Sequence, residues 1–162
     1  LEKGYFNSGV LLINTLAWAQ ESVSAKAMSM LADKAIVSRL TYMDQDILNL
    51  ILLGKVKFID AKYNTQFSLN YELKKSFVCP INDETVLIHY VGPTKPWHYW
   101  AGYPSAQPFI KAKEASPWKN EPLMRPVNSN YARYCAKHNF KQNKPINGIM
   151  NYIYYFYLKI IK

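Results

Sequence analysis

The sequence predicts an α/β fold, and three features along the chain support this class. The apolar run at residues 10–13 is typical of a buried strand, because such strands are continuously hydrophobic. Residues 17–35 are rich in Ala, Met, Leu and Gln and contain neither Gly nor Pro, which predicts a helix. Residues 56–60 and 85–90 have the composition of short strands. Strand patterns therefore alternate with helical ones.

The other helices have recognisable boundaries. The predicted helix 44–53 begins with acidic residues and stops at Gly54, a residue favoured just past a helix end. Seven of the nine prolines fall between Pro93 and Pro126, which excludes long helices there and indicates a Pro-rich wrap. Residues 128–138 predict a short helix, and residues 149–161 predict an apolar, strongly aromatic one.

Composition and charge narrow the class of protein. The chain has 162 residues, 49% of them hydrophobic, enough for one ordinary domain and too apolar for a disordered chain. Residues 1–110 hold ten basic and nine acidic side chains, whereas residues 111–162 hold ten basic and two acidic ones. We therefore predict a balanced body at 1–110 and a helical, basic extension at 111–162 whose partner is anionic, either a membrane surface or a nucleic acid.

Three features of the sequence bear on the cellular compartment of the protein and on the extent of the chain. Cys79 and Cys135 are too few for a disulfide framework, so a reducing compartment is the simpler interpretation. The longest charge-free stretch near the end, residues 145–158, has 14 residues, whereas a membrane-spanning helix needs about 20. The chain begins at Leu1 and reaches its first predicted strand almost at once, so we expect it to be the downstream part of a longer protein.

The first candidate site is the polar interruption at Asn7, Ser8 and Gly9. Glycine lets a ligand approach the backbone, and an Asn amide can donate to and accept from a sugar hydroxyl. A β-bulge with a turn-forming Asn is an equally good interpretation of these residues.

The second candidate is Asp44-Gln45-Asp46 at the start of a predicted helix. Three consecutive side chains cannot share one helix face, so we expect one acid and the amide to contact a hydroxylated substrate rather than both acids to hold a metal. Carboxylates at this position can also serve simply as helix caps.

The third candidate follows the strand 85–90 and comprises His89, Gly92 and Lys95. A neutral imidazole suits Mn²⁺ or Zn²⁺, glycine admits phosphate close to the backbone, and lysine supplies a positive charge. The competing interpretation is a strand-end His with a satisfied hydrogen bond, a Gly-Pro turn and a solvated lysine.

Together the three segments resemble glycosyltransferase family 8, retaining enzymes that transfer a sugar from a UDP-sugar. The resemblance rests on Phe-Asn-Ser-Gly-Val-Leu-Leu-Ile-Asn, Asp-Gln-Asp-Ile-Leu-Asn and His-Tyr-Val-Gly-Pro-Thr-Lys-Pro-Trp, in this order. The segment Ala-Ser-Pro-Trp-Lys and the basic, aromatic end are similar to the C-terminal extension of bacterial members that build the lipopolysaccharide core. The resemblance implies a UDP-hexose donor, with glucose favoured over galactose, and a lipopolysaccharide core acceptor.

The resemblance also implies a fold and a set of residue roles. The fold would be the C-terminal part of a nucleotide-sugar-binding sheet of the GT-A type. His89 would be a ligand of Mn²⁺ (or Mg²⁺), and His89, Gly92 and Lys95 would contact the UDP diphosphate. The donor sugar would be lined by Asn7, Ser8, Asp44 and Gln45. The last two would be catalytic, with Gln45 nearest the anomeric carbon; whether it is a nucleophile stays open.

One element of the family pattern is missing. The family's Asp-x-Asp metal motif lies upstream of the Asn-Ser-Gly segment, but only six residues precede Asn7 and none is Asp. We therefore expect this chain alone to bind UDP-sugar and Mn²⁺ poorly. An inactive remnant is the alternative that this gap supports.

The basic, aromatic tail predicts a peripheral membrane anchor. Lysines can meet anionic headgroups while tyrosines lie at the headgroup level, which would place the protein in the cytoplasm, on the inner face of the bacterial inner membrane. The helix could instead pack back on the body. A non-enzymatic RNA-binding module is a further alternative, but the tail carries no nucleic-acid motif, so we predict no nucleic-acid partner.

Overall fold

The computed structural model describes residues 4–161. It combines helices with a small parallel sheet, which confirms the predicted α/β class in its coarse form. The chain divides into two compact units between Asn64 and Thr65, and each unit is described by itself below.

The first unit is helical. Its helices are α1 (Thr15–Gln20), α2 (Val23–Ala32), α3 (Lys34–Val37) and α4 (Met43–Ile51). The prediction of one helix over 17–35 is wrong, because the chain turns at Ser22, whose φ of 51° is left-handed. A second break falls at Asp33, whose carboxylate accepts hydrogen bonds from the Ala35 and Ile36 amides and thereby caps α3.

The two strands predicted in the first unit do not form. Residues 10–13 and 56–60 have no regular structure, and Leu12 keeps 94% of its surface exposed. A strand needs a hydrogen-bonded neighbour, and no strand among residues 4–64 of the described chain provides one. The prediction of α4 at 44–53 is confirmed within two residues, and Gly54 follows it with a left-handed φ of 75°.

The second unit contains the sheet. Strand β1 (Thr65–Phe67) pairs in parallel with β2 (Ile88–Tyr90), and Gln66 lies opposite His89. The strand predicted at 85–90 is therefore real but shorter. β1 lies between the predicted strands 56–60 and 85–90, in a stretch where the sequence analysis placed no strand.

A small apolar core covers this sheet. It is built from the side chains of Phe67, Leu69, Ala101, Tyr103 and Ala106, with Ile81 and Tyr90 packed against it. Aromatic rings form a second buried layer, because the His98 ring lies 4.2 Å from the Trp100 ring and 5.0 Å from that of Tyr131.

Three helices complete the second unit: α5 (Gln107–Glu114), α6 (Ser129–Lys141) and α7 (Pro145–Ile160). The predictions at 128–138 and 149–161 are confirmed, although both helices are longer. Asn128 caps α6 by accepting from the Tyr131 amide, and α7 starts at Pro145, since proline suits a first helical turn.

Helices α6 and α7 pack against each other closely. A Cβ atom at Gly148 would lie 2.6 Å from the Phe140 ring, so glycine permits this approach. Cys135 of α6 is buried, and its thiol donates to the Tyr99 hydroxyl over 3.1 Å. Helices α6 and α7 therefore form one closely packed pair.

The opposite side of α7, hereafter its outer face, is apolar and exposed. It consists of Ile146, Ile149, Met150, Ile153, Phe156, Tyr157 and Ile160. These residues recur at the three- and four-residue spacing of one helix face. Among residues 4–161, no helix has the length and hydropathy needed to cross a bilayer.

Candidate functional site

In the first unit, the polar segment after Phe6 lies against the start of α4. The Gln45 side-chain oxygen accepts from Asn7 Nδ2 (2.9 Å) and from the Ser8 amide (3.1 Å). The Ser8 hydroxyl donates to Asp44 Oδ2 over 3.3 Å. The structure thus brings together Asn7, Ser8, Asp44 and Gln45, the four residues predicted to line a sugar.

Asn49 holds this arrangement in place. Its side chain accepts from the Phe6 amide (2.9 Å) and donates to the Phe6 carbonyl (2.8 Å) and the Gln45 carbonyl (2.8 Å). It is one of few buried polar residues, with 3% of its surface exposed. Sequence analysis missed Asn49, although an Asn on the apolar face of a helix is a usable signal, because a buried amide must be hydrogen-bonded.

Asp46 has a different task from Asp44. Its carboxylate accepts from the Thr41 and Tyr42 amides at 2.7 and 2.8 Å, and also from the Tyr5 hydroxyl. The hydrogen bond from Tyr5, followed by that from the Tyr42 amide, lowers the pKa of Asp46. Asp46 therefore ties the chain that enters α4 to the first turn of the helix, and Asp44 is the acid that faces the Asn-Ser segment.

In the second unit, His89 lies on β2 and is partly buried. Burial, and then the charge of Lys95, lowers its pKa, so its imidazole is neutral near pH 7. Gly92 follows with φ of 80°, and a Cβ there would lie 2.8 Å from Ser68 Oγ. Gly92 is thus required by its own neighbours, whatever it does for a ligand.

Lys95 is held rather than freely solvated. Its ammonium donates to the Tyr90 carbonyl over 2.5 Å, and its backbone amide donates to His98 Nδ1 over 3.1 Å. Partial burial lowers the pKa of Lys95. The solvated lysine considered from the sequence is therefore wrong for this residue.

Helix α6 braces the loop that carries Lys95. The buried His138 ring lies between Thr94 Oγ1, 3.1 Å from Nε2, and the Tyr103 hydroxyl, 2.7 Å from Nδ1. Asn70 Oδ1 lies 3.1 Å from the same Nε2. Burial is the main cause that lowers the pKa of His138 to about 4. Sequence analysis missed His138, and its helical, basic surroundings gave no hint of burial.

The metal prediction can be compared with the donors present. His89 fits as one ligand, because a neutral imidazole is the form that binds a divalent cation. Within residues 4–161, however, no group of three or more His, Cys, Asp or Glu side chains converges on one point. The described residues therefore offer a single ligand rather than a complete metal centre.

The order of these residues along the chain matches a known protein family. Residues 1–101 match the model of glycosyl transferase family 8, and residues 103–159 match that of the glycosyl transferase family 8 C-terminal region. The chain belongs to this family.

Three curated proteins that are similar to this chain act on lipopolysaccharide by name. The chain is 55% identical over 161 residues to the lipopolysaccharide glucosyltransferase WaaO of Escherichia coli K12, covering 99% of this chain and 48% of the relative. It is 51% identical over 162 residues to the lipopolysaccharide 1,3-galactosyltransferase of Salmonella typhimurium LT2, covering 100% and 48%. A lipopolysaccharide 1,2-glucosyltransferase of Escherichia coli is 39% identical over 159 residues, covering 96% and 47%.

The chain spans about half the length of the curated relatives it matches. No solved structure matches it significantly.

Proposed function

We propose that this chain forms part of a retaining hexosyltransferase that moves a hexose, glucose in preference to galactose, from a UDP-sugar to the lipopolysaccharide core. The hydrogen-bonded group of Asn7, Ser8, Asp44 and Gln45 is the observation that carries the proposal. The names of the three relatives support the substrate class, since two are glucosyltransferases and one is a galactosyltransferase. The fold we propose is the C-terminal part of a GT-A sheet.

The chemistry of the Asn-Ser segment fits a sugar. The Asp44 carboxylate is an acceptor for hydroxyls, and the Asn7 amide offers both a donor and an acceptor. Gln45 Oε1 already accepts two hydrogen bonds, from Asn7 and Ser8. Both lone pairs of this oxygen are therefore used. This favours a role for Gln45 in positioning the donor sugar at its anomeric carbon, rather than a role as the nucleophile.

His89, Gly92 and Lys95 would hold the diphosphate. Lys95, fixed through the Tyr90 carbonyl, would place its charge on the leaving UDP. His89 would be one ligand of Mn²⁺ or Mg²⁺, and such a cation neutralises charge that develops on the diphosphate. Because the described residues supply a single ligand, the remaining ligands would come from the Asp-x-Asp motif, which this sequence lacks upstream of Asn7.

A chimaera tests the proposal. The N-terminal half of the Escherichia coli WaaO protein would be joined to this chain and assayed with UDP-glucose, UDP-galactose and a lipopolysaccharide core acceptor. We expect glucose transfer with retained configuration, read from the anomeric proton coupling. Lys95→Gln should lower kcat at least about a hundredfold, since charge-stabilising donors are typically worth that much. Gln45→Ala should lower kcat by a similar factor, since misplacing the reacting atoms by about 1 Å can cost about a hundredfold.

The matched control is Gln20→Ala, an exposed glutamine at the end of α1. It should leave kcat unchanged. A folded chimaera that transfers no hexose, or a Gln45 variant with full activity, would refute the proposed function.

We also propose that the outer face of α7 docks on the inner face of the bacterial inner membrane, where an embedded acceptor would be reached. Seven apolar side chains are exposed along this one face, and residues 111–162 carry a net charge of +8. Apolar insertion and attraction to anionic headgroups act together in such helices.

Vesicles containing phosphatidylglycerol test this docking. The pair Ile153→Asn and Ile160→Asn should weaken vesicle binding at least tenfold, because each buried isoleucine contributes about 1.5–3 kcal/mol. Val78→Asn is the control, since Val78 is 89% exposed but lies outside α7. Equal binding by the two variants would contradict membrane docking through α7.

A further inference from the structure

A small cavity lies where the beginning of α6 meets the end of α7. Its volume is about 130 Å³, well below the roughly 300–1,000 Å³ of pockets for drug-sized ligands. Its lining consists of Ser129, Asn130, Arg133, Tyr155 and Lys159. These are a hydroxyl, an amide, a phenol and two cations, and none belongs to the residues proposed above for the donor sugar or the diphosphate.

The two cations form no ion pair within residues 4–161, the described part of the chain. Residues 122–162 contain no Asp or Glu at all. Two like charges at one small cavity repel each other unless an anion lies between them, so the arrangement favours an external anion.

Arg133 is held in place but incompletely hydrogen-bonded. Its Nη2 donates to Asn130 Oδ1 over 3.2 Å, and its guanidinium lies 5.4 Å from the Tyr134 ring centre. Its Nε atom is buried and, within residues 4–161, has no acceptor. A buried donor without a partner is destabilising, and an oxyanion in the cavity would offer the guanidinium an acceptor.

We infer that this cavity binds a phosphate group, through the Arg133 guanidinium, the Lys159 ammonium and the hydroxyl of Ser129. Phosphate suits the lining, because a guanidinium can bind two of its oxygens at once while an ammonium adds a point charge. Helices α6 and α7, which carry the two cations, pack closely against each other at Gly148. The phosphate could be carried by a soluble phosphorylated sugar or by a lipid headgroup.

Titration of inorganic phosphate into the chain, followed by phosphorus NMR at constant ionic strength, tests the inference. Arg133→Gln combined with Lys159→Gln should lower phosphate affinity at least about tenfold, equivalent to about 1.4 kcal/mol, because it removes both cationic hydrogen-bond donors. Lys159→Gln alone should lower it about threefold or more. Lys159 is exposed, so this variant tests the site even where Arg133→Gln does not fold.

The control is Lys111→Gln on α5, which removes one exposed charge elsewhere in the same basic extension. It should change phosphate affinity less than twofold. An equal loss in this control, equal affinity in all variants, or no phosphate binding by the wild-type chain would each overturn the inference.

Two further titrations identify the source of the phosphate. Glucose 6-phosphate bound with the same dependence on Arg133 and Lys159 would indicate a soluble phosphorylated sugar. The same dependence for phosphatidylglycerol vesicles, but not for glucose 6-phosphate, would indicate a lipid headgroup. Neither titration involves hexose transfer, so the phosphate site and the proposed activity can fail separately.

Discussion

Each of the two units is stabilised internally by a different kind of interaction. Among the described residues of the first unit, the buried ones are Val23, Ile47 and Asn49. The second unit buries an apolar cluster around Phe67 and an aromatic layer around Trp100. The first therefore relies on side-chain hydrogen bonds such as those of Asn49 and Gln45, whereas the second relies on packing.

This difference explains where the candidate residues could be placed. Hydrogen bonds orient Asn7 and Ser8 on Gln45 without a surrounding core. In the second unit, the loop that carries Lys95 is fixed by the buried His138 and His98 rings. Removing a buried side chain from the second unit should therefore lower the free energy of unfolding strongly. Removing a hydrogen bond from the first unit should have a smaller and more local effect.

The largest effect is expected for His138→Ala. The substitution leaves a cavity and removes the partners of Thr94 and the Tyr103 hydroxyl, so the free energy of unfolding should fall by about 3–5 kcal/mol. Urea denaturation followed by tryptophan fluorescence measures it. Lys137→Ala, its exposed neighbour on α6, should cost less than about 0.5 kcal/mol.

Acid should weaken the second unit next. The unfolded His138 binds a proton below its ordinary pKa of 6.5, whereas the folded ring, with a pKa of about 4, does not. Its contribution is therefore complete above pH 6.5 and is lost as the pH falls towards 4. Lowering the pH from 7.5 to 5 should cost about 2 kcal/mol through this ring. His138→Gln should lose that much less over the same range, and an unchanged pH profile would contradict the assignment.

A smaller, local effect is expected for Asn49→Ala in the first unit. The Phe6 amide loses its acceptor, so its hydrogen exchange should accelerate about tenfold, equivalent to about 1.4 kcal/mol. Mass-resolved or NMR-detected exchange reports it. Asn120→Ala, an exposed asparagine, is the matched control and should leave Phe6 unaffected. Faster hydrogen exchange throughout the second unit would contradict a local effect of Asn49.

The smallest expected effect is the difference in stability cost between two left-handed glycines. Gly54→Ala should cost about 1 kcal/mol from backbone conformation alone, because no atom of residues 4–161 outside its chain neighbours lies within 4 Å of the added Cβ. Gly92→Ala adds a contact with Ser68 Oγ and should cost about 1 kcal/mol more. Thermal denaturation compares the two. Ser68→Ala in the Gly92→Ala background should restore part of the difference, and equal costs at both glycines would argue against the Ser68 contact.

The sequence predicted best what depends on local pattern. Helices α4, α6 and α7 were predicted because periodicity, caps and composition agree over many residues. The strands at 10–13 and 56–60 were wrong because apolar composition indicates a strand without specifying its hydrogen-bonded neighbour. β1 was missed for the converse reason, since Thr-Gln-Phe becomes a strand only through its pairing with β2.

The same distinction applies to the candidate site. The Asn7, Ser8, Asp44 and Gln45 group was proposed through a resemblance, and the structure places these residues together. Their roles stay predictions. Asn49 and His138 were missed because their importance lies in contacts 43 and 44 residues away in the chain, which spacing does not reveal.

The buried Cys135 makes the opening of α6 measurable through the rate at which its thiol is alkylated. Burial raises the pKa of its thiol, so little thiolate is available for alkylation while α6 stays packed. Cys79 is exposed in the same unit and provides an internal reference that reacts immediately. The ratio of the two alkylation rates therefore measures how often α6 opens, without an engineered residue.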